Sequence, residues 1–250
     1  MIRKSPAAAV FICSSDSRID ILERTLPSVQ KFWPTCRYPM YVGLNSCTRA
    51  LPVGVPVIAP PSDWRREFTQ QLAQTEPEYL IVMLDDFLIQ APVDRDRLAH
   101  LVESAVRLKL DYLRLVPLGR SLFARATGRH PVEIAPGLQR IREGHPFYSA
   151  LQIAIWRKSH LLSMLERPMS IWDFERQCAR DASHCAIKDN PPIAYRHLVE
   201  KGRWLPYARS LLRRAGFAPE LGARPAWPAT RYGQLFVDQL RWVVLGYATC

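Results

Sequence analysis

Two adjacent carboxylates, Asp85 and Asp86, interrupt a long apolar stretch of the chain. The apolar residues 79–84 precede them, and the apolar residues 87–89 follow. Because an unpaired charge in a dry core costs several kcal/mol, we expect both acids at the carboxyl end of a buried strand. Open α/β sheets bind ligands at that end, and carboxylates there suit a divalent cation and, through it, a diphosphate. The alternative is an aspartate pair that caps the next turn.

The elements around this pair predict an α/β fold. Apolar runs bounded by turn residues predict strands at 7–13, 39–44, 55–58, 79–84, 111–117, 150–156 and 191–197. Helical spacing of apolar residues predicts helices at 18–32, 63–74, 94–109, 158–166 and 172–180. The Gly-, Pro- and Arg-rich residues 118–146 predict a loop or hairpin. This alternation of strands and helices is typical of a sheet covered by helices.

Composition narrows the class of protein. The 250 residues suffice for one sizeable core, and a net charge of +11 favours anionic partners without choosing among them. The six cysteines form no CxxC pair, which fits free thiols in a reducing cytoplasm. No apolar run approaches the ~20 residues of a membrane-spanning helix. We therefore expect a cytoplasmic protein, either soluble or peripheral on the inner face of the membrane.

The end of the chain differs in character from the rest. Residues 205–214 predict a basic amphipathic helix, and residues 232–247 predict an apolar, aromatic-rich helix. Such a pair can dock on an anionic membrane surface. The alternative is that both helices pack on the domain.

The order of these motifs resembles the bacterial glycosyltransferases of the GT-A fold, of the family-2-like group that builds surface polysaccharides. The resemblance rests on the Trp64 helix, on Leu84-Asp85-Asp86-Phe87, on residues 148–156 and on residues 171–175. It covers roughly residues 7–205 and implies a Rossmann-like mixed sheet flanked by helices; the C-terminal helical appendage is predicted from the residues of the tail alone. Residues 1–205 would form the transferase domain, with a nucleotide-sugar half (1–100) and an acceptor half (101–205), and residues 206–250 a basic and apolar helical tail.

The resemblance implies a donor site around the aspartate pair. A transferase of this kind leaves a diphosphate, whose charge a metal held by carboxylates stabilises. Asp86 would hold Mn²⁺ or Mg²⁺, and Asp85 would contact the ribose or the metal. His197 either completes the metal shell or is structural. Lys201 and Arg203 either clamp the diphosphate or face solvent. The chain has Asp-Asp-Phe where the commonest family motif is Asp-x-Asp, which leaves metal dependence open.

The resemblance also implies a base for the acceptor hydroxyl, worth about 10²–10⁴-fold in rate. Glu175 is the first candidate and Asp173 the second, because neighbouring aromatic rings can desolvate a carboxylate and raise its pKa. The alternative is a helix N-terminal turn, where acids favour the dipole. Trp172 and Gln152 are candidate acceptor contacts.

Three further residues are candidates for donor contacts. Asp16 and Asn45 follow the first two strands and would contact the nucleobase region, although both also suit turns and caps. Trp64 would stack on the donor or pack under the sheet.

The sequence thus predicts a glycosyltransferase that moves a sugar from a nucleotide-diphosphate donor to a saccharide or lipid-linked acceptor. We expect metal assistance, inversion of configuration and a role in cell-surface polysaccharide synthesis. Two alternatives are a non-catalytic sugar-nucleotide-binding protein and a nucleic-acid-binding protein. We expect no nucleic-acid partner, because no helix-turn-helix, finger or RRM signature is present.

Overall fold

A computed structural model describes residues 7–46, 50–118, 132–143, 148–175 and 182–234. The strands are β1 Ala8–Cys13, β2 Met40–Leu44, β3 Val55–Ile58, β4 Tyr79–Leu84, β5 Phe87–Ile89, β6 Tyr112–Arg114, β7 Val132–Ala135, β8 Leu138–Arg140, β9 Ala154–Arg157, β10 His184–Ile187, β11 Tyr195–His197, β12 Val199–Glu200 and β13 Arg203–Trp204. The helices are α1 Ile19–Phe32, α2 Trp64–Ala73, α3 Arg95–Arg107, α4 Lys158–Met164, α5 Ile171–Glu175 and α6 Ala208–Arg214.

The central sheet has the strand order β3-β2-β1-β4-β9-β6-β10-β8-β7. Strands β3, β2, β1 and β4 run parallel, and β9 runs antiparallel to both of its neighbours, β4 and β6. From β1 the chain moves outward through β2 and β3 and then returns to the other side of β1 with β4. The crevice at the carboxyl ends of β1 and β4 is therefore a topological switch point, where open α/β sheets bind ligands.

Helices cover both faces of this sheet because its strands are apolar on both sides. On one face, Leu22 and Leu26 of α1 and Leu101 of α3 pack on Val10 and Ile81. A second core on the opposite face includes Phe68 of α2, Leu161 of α4 and Phe174 of α5. Burial on both faces is typical of parallel strands that lie between two helical layers.

Two small strand pairs extend the structure beyond the carboxyl edge. Strand β5 pairs with β11, so that Phe87 lies opposite His197. Strands β12 and β13 form a hairpin whose two turn residues, Lys201 and Gly202, have φ angles of 47° and 73°. Two consecutive positive φ angles are typical of the tight turns that join antiparallel strands.

The structure confirms the expected mixed α/β fold and corrects several bounds. The predicted strand 111–117 ends at Arg114, and the predicted strand 150–156 begins only at Ala154. The predicted final strand 191–197 is limited to β11, outside the central sheet. Strands β5, β10, β12 and β13 were not predicted. Residues 176–180 of the predicted helix 172–180 lie outside the described residues, as does most of 118–146.

The predicted tail begins with a helix that packs on the domain. Leu211 and Leu212 of α6 are buried in a third cluster with Ile21 of α1 and Leu88 of β5. Residues 229–234 are helical, and residues 235–250 of the predicted apolar helix lie outside the described residues. Within the described part of the chain, no helix is long and apolar enough to cross a membrane.

Candidate active site

Asp85 lies at the carboxyl end of β4 and is fully engaged by the protein. Its Oδ2 accepts hydrogen bonds from Ser14 Oγ and Arg18 Nε, each at 2.6 Å, and its Oδ1 accepts from Arg18 Nη2 at 2.6 Å. The β1–β4 register, which pairs Cys13 with Leu84, places these partners beside it. Because both of its carboxylate oxygens accept hydrogen bonds from the protein, Asp85 is suited to a structural role that links the end of β4 to the segment after β1.

Arg18 is a site residue that the sequence reasoning missed. Burial lowers its pKa, but the hydrogen bonds and charge of Asp85 outweigh burial and raise the pKa of Arg18 overall. Its side chain is 33% exposed, so the guanidinium reaches the mouth of the crevice. A signal existed: a carboxylate inside an apolar run needs a cation, and Arg18 is the first cation after β1.

Asp86 differs from its neighbour because one of its carboxylate oxygens has no partner among the described residues. Its Oδ2 lies 3.3 Å from His197 Nδ1, whereas its Oδ1 is buried and accepts no hydrogen bond from the described part of the chain. The Asp86 carbonyl accepts from the Leu198 amide at 3.0 Å, which fixes β11 beside the carboxylate. A buried carboxylate oxygen that accepts no hydrogen bond lowers the stability of the fold. Such an oxygen at the switch point therefore indicates a ligand-binding site.

His197 is held between aromatic and acidic groups. Its ring contacts Phe87 edge-on, with 4.7 Å between the ring centroids. Burial lowers the pKa of His197, but the hydrogen bond and charge of Asp86, with the charges of Glu200 and Glu175, raise the pKa overall. The surrounding acids therefore favour the positively charged form of His197.

Glu175 lies at the end of α5, and its carboxyl group is near enough to His197, the partner of Asp86, for their charges to interact. Its Oε1 accepts from the Leu151 amide at 2.9 Å. Burial, the largest influence, raises the pKa of Glu175, and the Glu200 charge raises it further, while Leu151, His197 and Arg114 lower it. A carboxylate with a raised pKa in a cleft is suited to proton transfer.

Asp173, the second candidate base, has a structural role. Its Oδ2 accepts from the Ser170 amide at 3.1 Å and from Ser170 Oγ at 2.7 Å. Ser170 Oγ in turn accepts from the Asp173 amide at 3.2 Å. This reciprocal pair is a capping box at the start of α5. The geometry therefore favours Glu175 over Asp173 as a base.

Asp16 and Asn45 bind each other at the ends of β1 and β2. The Asn45 amide donates to Asp16 Oδ1 at 2.8 Å, and the Asp16 amide donates to Asn45 Oδ1 at 3.0 Å. Asp16 Oδ2 also accepts from Ser46 Oγ at 2.5 Å, and Asn45 Nδ2 donates to the Ala59 carbonyl. These contacts are the turn roles considered for both residues, and their donor roles stay predictions.

The aromatic candidates divide between the core and the surface. The Trp64 ring stacks on Phe68 and meets Phe174 edge-on, in the core beneath the sheet. Trp172, on the first turn of α5, is 48% exposed near Glu175. Gln152 lies just before β9, and its Oε1 is buried without a hydrogen bond.

The C-terminal segment fixes the hairpin that carries Lys201 and Arg203. Trp227 donates through Nε1 to the Glu200 carbonyl at 2.8 Å, and its ring lies under the Arg203 guanidinium at 5.4 Å. Arg224 makes a bidentate pair with Asp20, with both contacts at 2.8 Å, and also donates to the Ser17 and Gly202 carbonyls. Lys201 is exposed at the turn, whereas Arg203 is engaged by Trp227.

The residues fit a divalent cation only in part. Among the residues that the structure describes, no three His, Cys, Asp or Glu side chains are grouped closely enough to hold a metal ion. Mg²⁺ and Mn²⁺, however, need only one or two carboxylates when substrate phosphates supply other ligands. The unpartnered Oδ1 of Asp86 meets that requirement. The oxygens of Asp85 do not, because Ser14 and Arg18 occupy them.

Comparison with known proteins finds similarity only to the backbone fold of solved structures. No protein-family profile and no curated protein matches the chain. Residues 1–349 of S. aureus TarS are similar at 15% identity and a TM-score of 0.47, over 76% of this chain and 59% of that one. The mannosyltransferase PcManGT from Pyrobaculum calidifontis, in complex with GDP-Man and Mn²⁺, is similar at 13% identity and a TM-score of 0.49. The similarity covers 99% of this chain and 83% of that one.

A third structure is similar at a lower level. The bifunctional IspDF from Campylobacter jejuni gives 9% identity and a TM-score of 0.41, over 76% of this chain and 51% of that one. This chain thus spans only 59% and 51% of the TarS and IspDF chains. At such identities and TM-scores, none of these likenesses identifies an activity.

Proposed function

We propose that the chain is a glycosyltransferase that moves a sugar from a nucleotide-diphosphate donor to a saccharide or lipid-linked acceptor. The observation that carries the proposal is the buried, unpartnered Oδ1 of Asp86 at the switch point, in one cleft with Glu175. Donor activation requires an oxygen that can bind a metal ion, and acceptor deprotonation requires a base nearby. Asp86 and Glu175 are the candidates for these two roles.

The donor half of the proposal rests on Asp86 and on the cations near it. Asp86 would hold Mn²⁺ or Mg²⁺, and His197 can turn from its ion pair toward the same cation. When bound, the cation would supply positive charge that stabilises the leaving diphosphate. Arg18 and Lys201 add positive charge at the mouth of the cleft, where the diphosphate would lie.

The acceptor half rests on Glu175. Its Oε1 is fixed by the Leu151 amide, so Oε2 is the oxygen offered to an acceptor hydroxyl. Glu175 takes the hydroxyl proton as the acceptor oxygen forms a bond to the anomeric carbon, and the bond from that carbon to the diphosphate oxygen breaks. Direct displacement inverts the anomeric configuration. The exposed Trp172 ring would lie against the acceptor sugar.

Donor binding tests the first half. Melting temperatures are measured with UDP-, GDP-, CMP- and dTDP-sugars, each with Mn²⁺, Mg²⁺ or EDTA, because a ligand of the native state raises the melting temperature. We expect one nucleotide class to raise it in a metal-dependent manner. No shift with any donor would contradict the proposal.

Substitution of the base tests the second half. Glu175→Gln should lower transfer by about 10²–10⁴-fold while donor binding persists. Because burial raises the pKa of Glu175, wild-type transfer should increase as the pH rises through that pKa. Full transfer by Glu175→Gln would remove the assigned base. Donor binding without transfer in the wild type would instead favour a non-catalytic sugar-nucleotide-binding protein.

A further inference from the structure

Arg114 is a buried cation in a position that the fold does not require. It ends β6, and its side chain is only 7% exposed. Its register partners on both neighbouring strands are small: Ala154 on β9 and Ala186 on β10. Neither of these small neighbours carries a group that could pair with the guanidinium.

Within the described residues, no carboxylate forms an ion pair with the guanidinium, although the charge of Glu175 acts on it from further away. Its Nε is buried without a hydrogen bond, and across the described segments no hydrogen bond or ion pair to Arg114 is formed. Arginine stays protonated in proteins, so the charge cannot be removed by titration. A buried, unpaired charge is costly, and natural proteins keep one where a ligand completes it.

The surroundings of Arg114 belong to the cleft. Burial raises the pKa values of Glu175 and Tyr195, and the charge of Arg114 opposes this rise, so the guanidinium is near enough for its charge to act on the candidate base. Glu175 nevertheless directs its Oε1 to the Leu151 amide. None of the described residues accepts a hydrogen bond from the Arg114 guanidinium, and its Nε in particular is offered to an external acceptor.

Arg114 is separate from the donor site. Strand β9 lies between β4 and β6, so Arg114 is two strands away from the end of β4, where Asp86 lies. Neighbouring strands are about 4.8 Å apart, which puts the two strand ends roughly 10 Å from each other. A diphosphate beside Asp86 would leave Arg114 available for a second anion, on the side of Glu175.

We propose that Arg114 is an anion-recognition point for the acceptor, binding a carboxylate or phosphate group carried by the acceptor saccharide. The proposal rests on the transferase function given above and specifies its acceptor class as anionic. The planar guanidinium matches either oxyanion through two parallel hydrogen bonds.

The test compares saccharide probes that differ in one charged group. Calorimetry measures the dissociation constants of glucuronate, glucose 6-phosphate and glucose for the full chain. A hydrogen bond to a charged group contributes about 1.5 kcal/mol or more, so we expect the wild type to prefer one anionic probe over glucose by about tenfold or more. The probe with the larger preference tells carboxylate from phosphate.

Three variants locate that preference. Arg114→Gln should abolish it, and Arg114→Lys, which keeps the charge and loses the fork, should retain a weaker preference. Arg140→Gln removes an equal charge from an exposed position on the same sheet and should leave the preference intact. Equal affinities for all three probes in the wild type, or a preference that survives Arg114→Gln, would overturn the proposal.

Two further readouts separate this inference from the proposed function. Metal-dependent donor shifts should be the same in Arg114→Gln as in the wild type. If donors raise the melting temperature but no anionic probe is preferred, only the role of Arg114 is overturned. If an anionic probe is preferred but no donor raises the melting temperature, the subsite is supported and the transferase function is contradicted. Unfolding of both Arg114 variants would mean that the protein itself neutralises the guanidinium, which would also overturn the proposal.

Discussion

The two ends of the β6–β10 strand pair carry buried polar groups that differ in whether their hydrogen bonds are formed within the protein. At the beginning of β10, His184 is fully buried, and its two ring nitrogens lie 2.9 Å from His160 Nε2 and 3.0 Å from the Tyr148 carbonyl. At the carboxyl end of β6, Arg114 has a buried nitrogen without a partner, and Asp86 has such an oxygen two strands away. One cluster is internally complete, and the other is not.

This difference distinguishes polar groups that stabilise the fold from polar groups that serve a ligand. A complete buried network contributes rigidity, and removing one member leaves another unpaired. An incomplete network costs stability and gains its partners only when a ligand arrives. Four predictions test this division.

The largest effect is expected when the Arg18–Asp85 ion pair is broken, which should lower the free energy of unfolding. Arg18→Gln leaves Asp85 buried with Ser14 alone, and breaking a buried ion pair costs about 3–5 kcal/mol. Urea denaturation measures the loss. The control is Arg66→Gln, which breaks an exposed pair with Asp63 and should cost less than about 1 kcal/mol. Equal losses in the two variants would contradict the assignment of Asp85 as a structural anchor.

The second effect is a pH dependence of stability at the histidine cluster. Burial lowers the pKa of His184 to about 4, and it also lowers the pKa of His160. Below pH 6.5 the unfolded chain therefore binds protons that the native chain does not, and stability falls as the pH drops from 6.5 toward 4. The contribution of His184 should reach about 3 kcal/mol.

The measurement for this cluster is urea denaturation at pH 7 and at pH 4.5. His184→Gln should reduce the difference in unfolding free energy between the two pH values. His100→Gln, at an exposed position on α3, should leave that difference unchanged. A difference that persists undiminished in His184→Gln would assign the pH dependence to other groups.

The third effect separates binding from stability at Asp86. Asp86→Asn should weaken metal-dependent donor binding at least about tenfold, because losing even an outer partner of a metal ligand costs about 10- to 100-fold. Its melting temperature without ligands should fall less than that of Arg18→Gln, since the asparagine oxygen can still accept from His197 and Oδ1 has no hydrogen bond to a described residue. Asp96→Asn, at an exposed position, is the control. Unchanged donor affinity with Mn²⁺ would remove the metal role.

The smallest effect concerns the two acids of α5. Asp173→Ala removes a capping box and should cost about 1 kcal/mol of stability while transfer is retained. Glu175→Gln should give the opposite pattern, with stability retained and transfer lost. Thermal melting and a transfer assay on both variants check the pair. Loss of transfer in a folded Asp173→Ala would make Asp173 the base.

The sequence predicted the parts of the site that depend on local pattern. The aspartate pair lies at the end of β4 as expected, because a continuous apolar run followed by charge is a strong strand signal. The contact of Arg18 with Asp85 depends on the β1–β4 register, which the sequence does not show, and the need of a buried carboxylate for a cation was a signal that went unused. Arg114 was hidden inside the predicted strand 111–117, where a charge among apolar residues was a signal that went unused.

Other differences come from contacts between distant residues. The strand predicted from residue 150 starts only at Ala154, and the Leu151 amide before it is bound by Glu175, 24 positions further along the chain. Strand β10 is only four residues long and follows a polar segment, so it gives little local signal. The GT-A resemblance anticipated a cleft at the carboxyl edge but not which polar atoms would lack partners.

Arg224 has a consequence for how the protein folds. Its guanidinium joins the Asp20 carboxylate and the Ser17 carbonyl, 204 and 207 positions earlier, to the turn at Gly202. Contacts between such distant positions require closure of a very long loop, which slows folding. The segment after β1 can therefore gain these hydrogen bonds only after residue 224 has been synthesised, and until then Asp20 lacks its arginine partner.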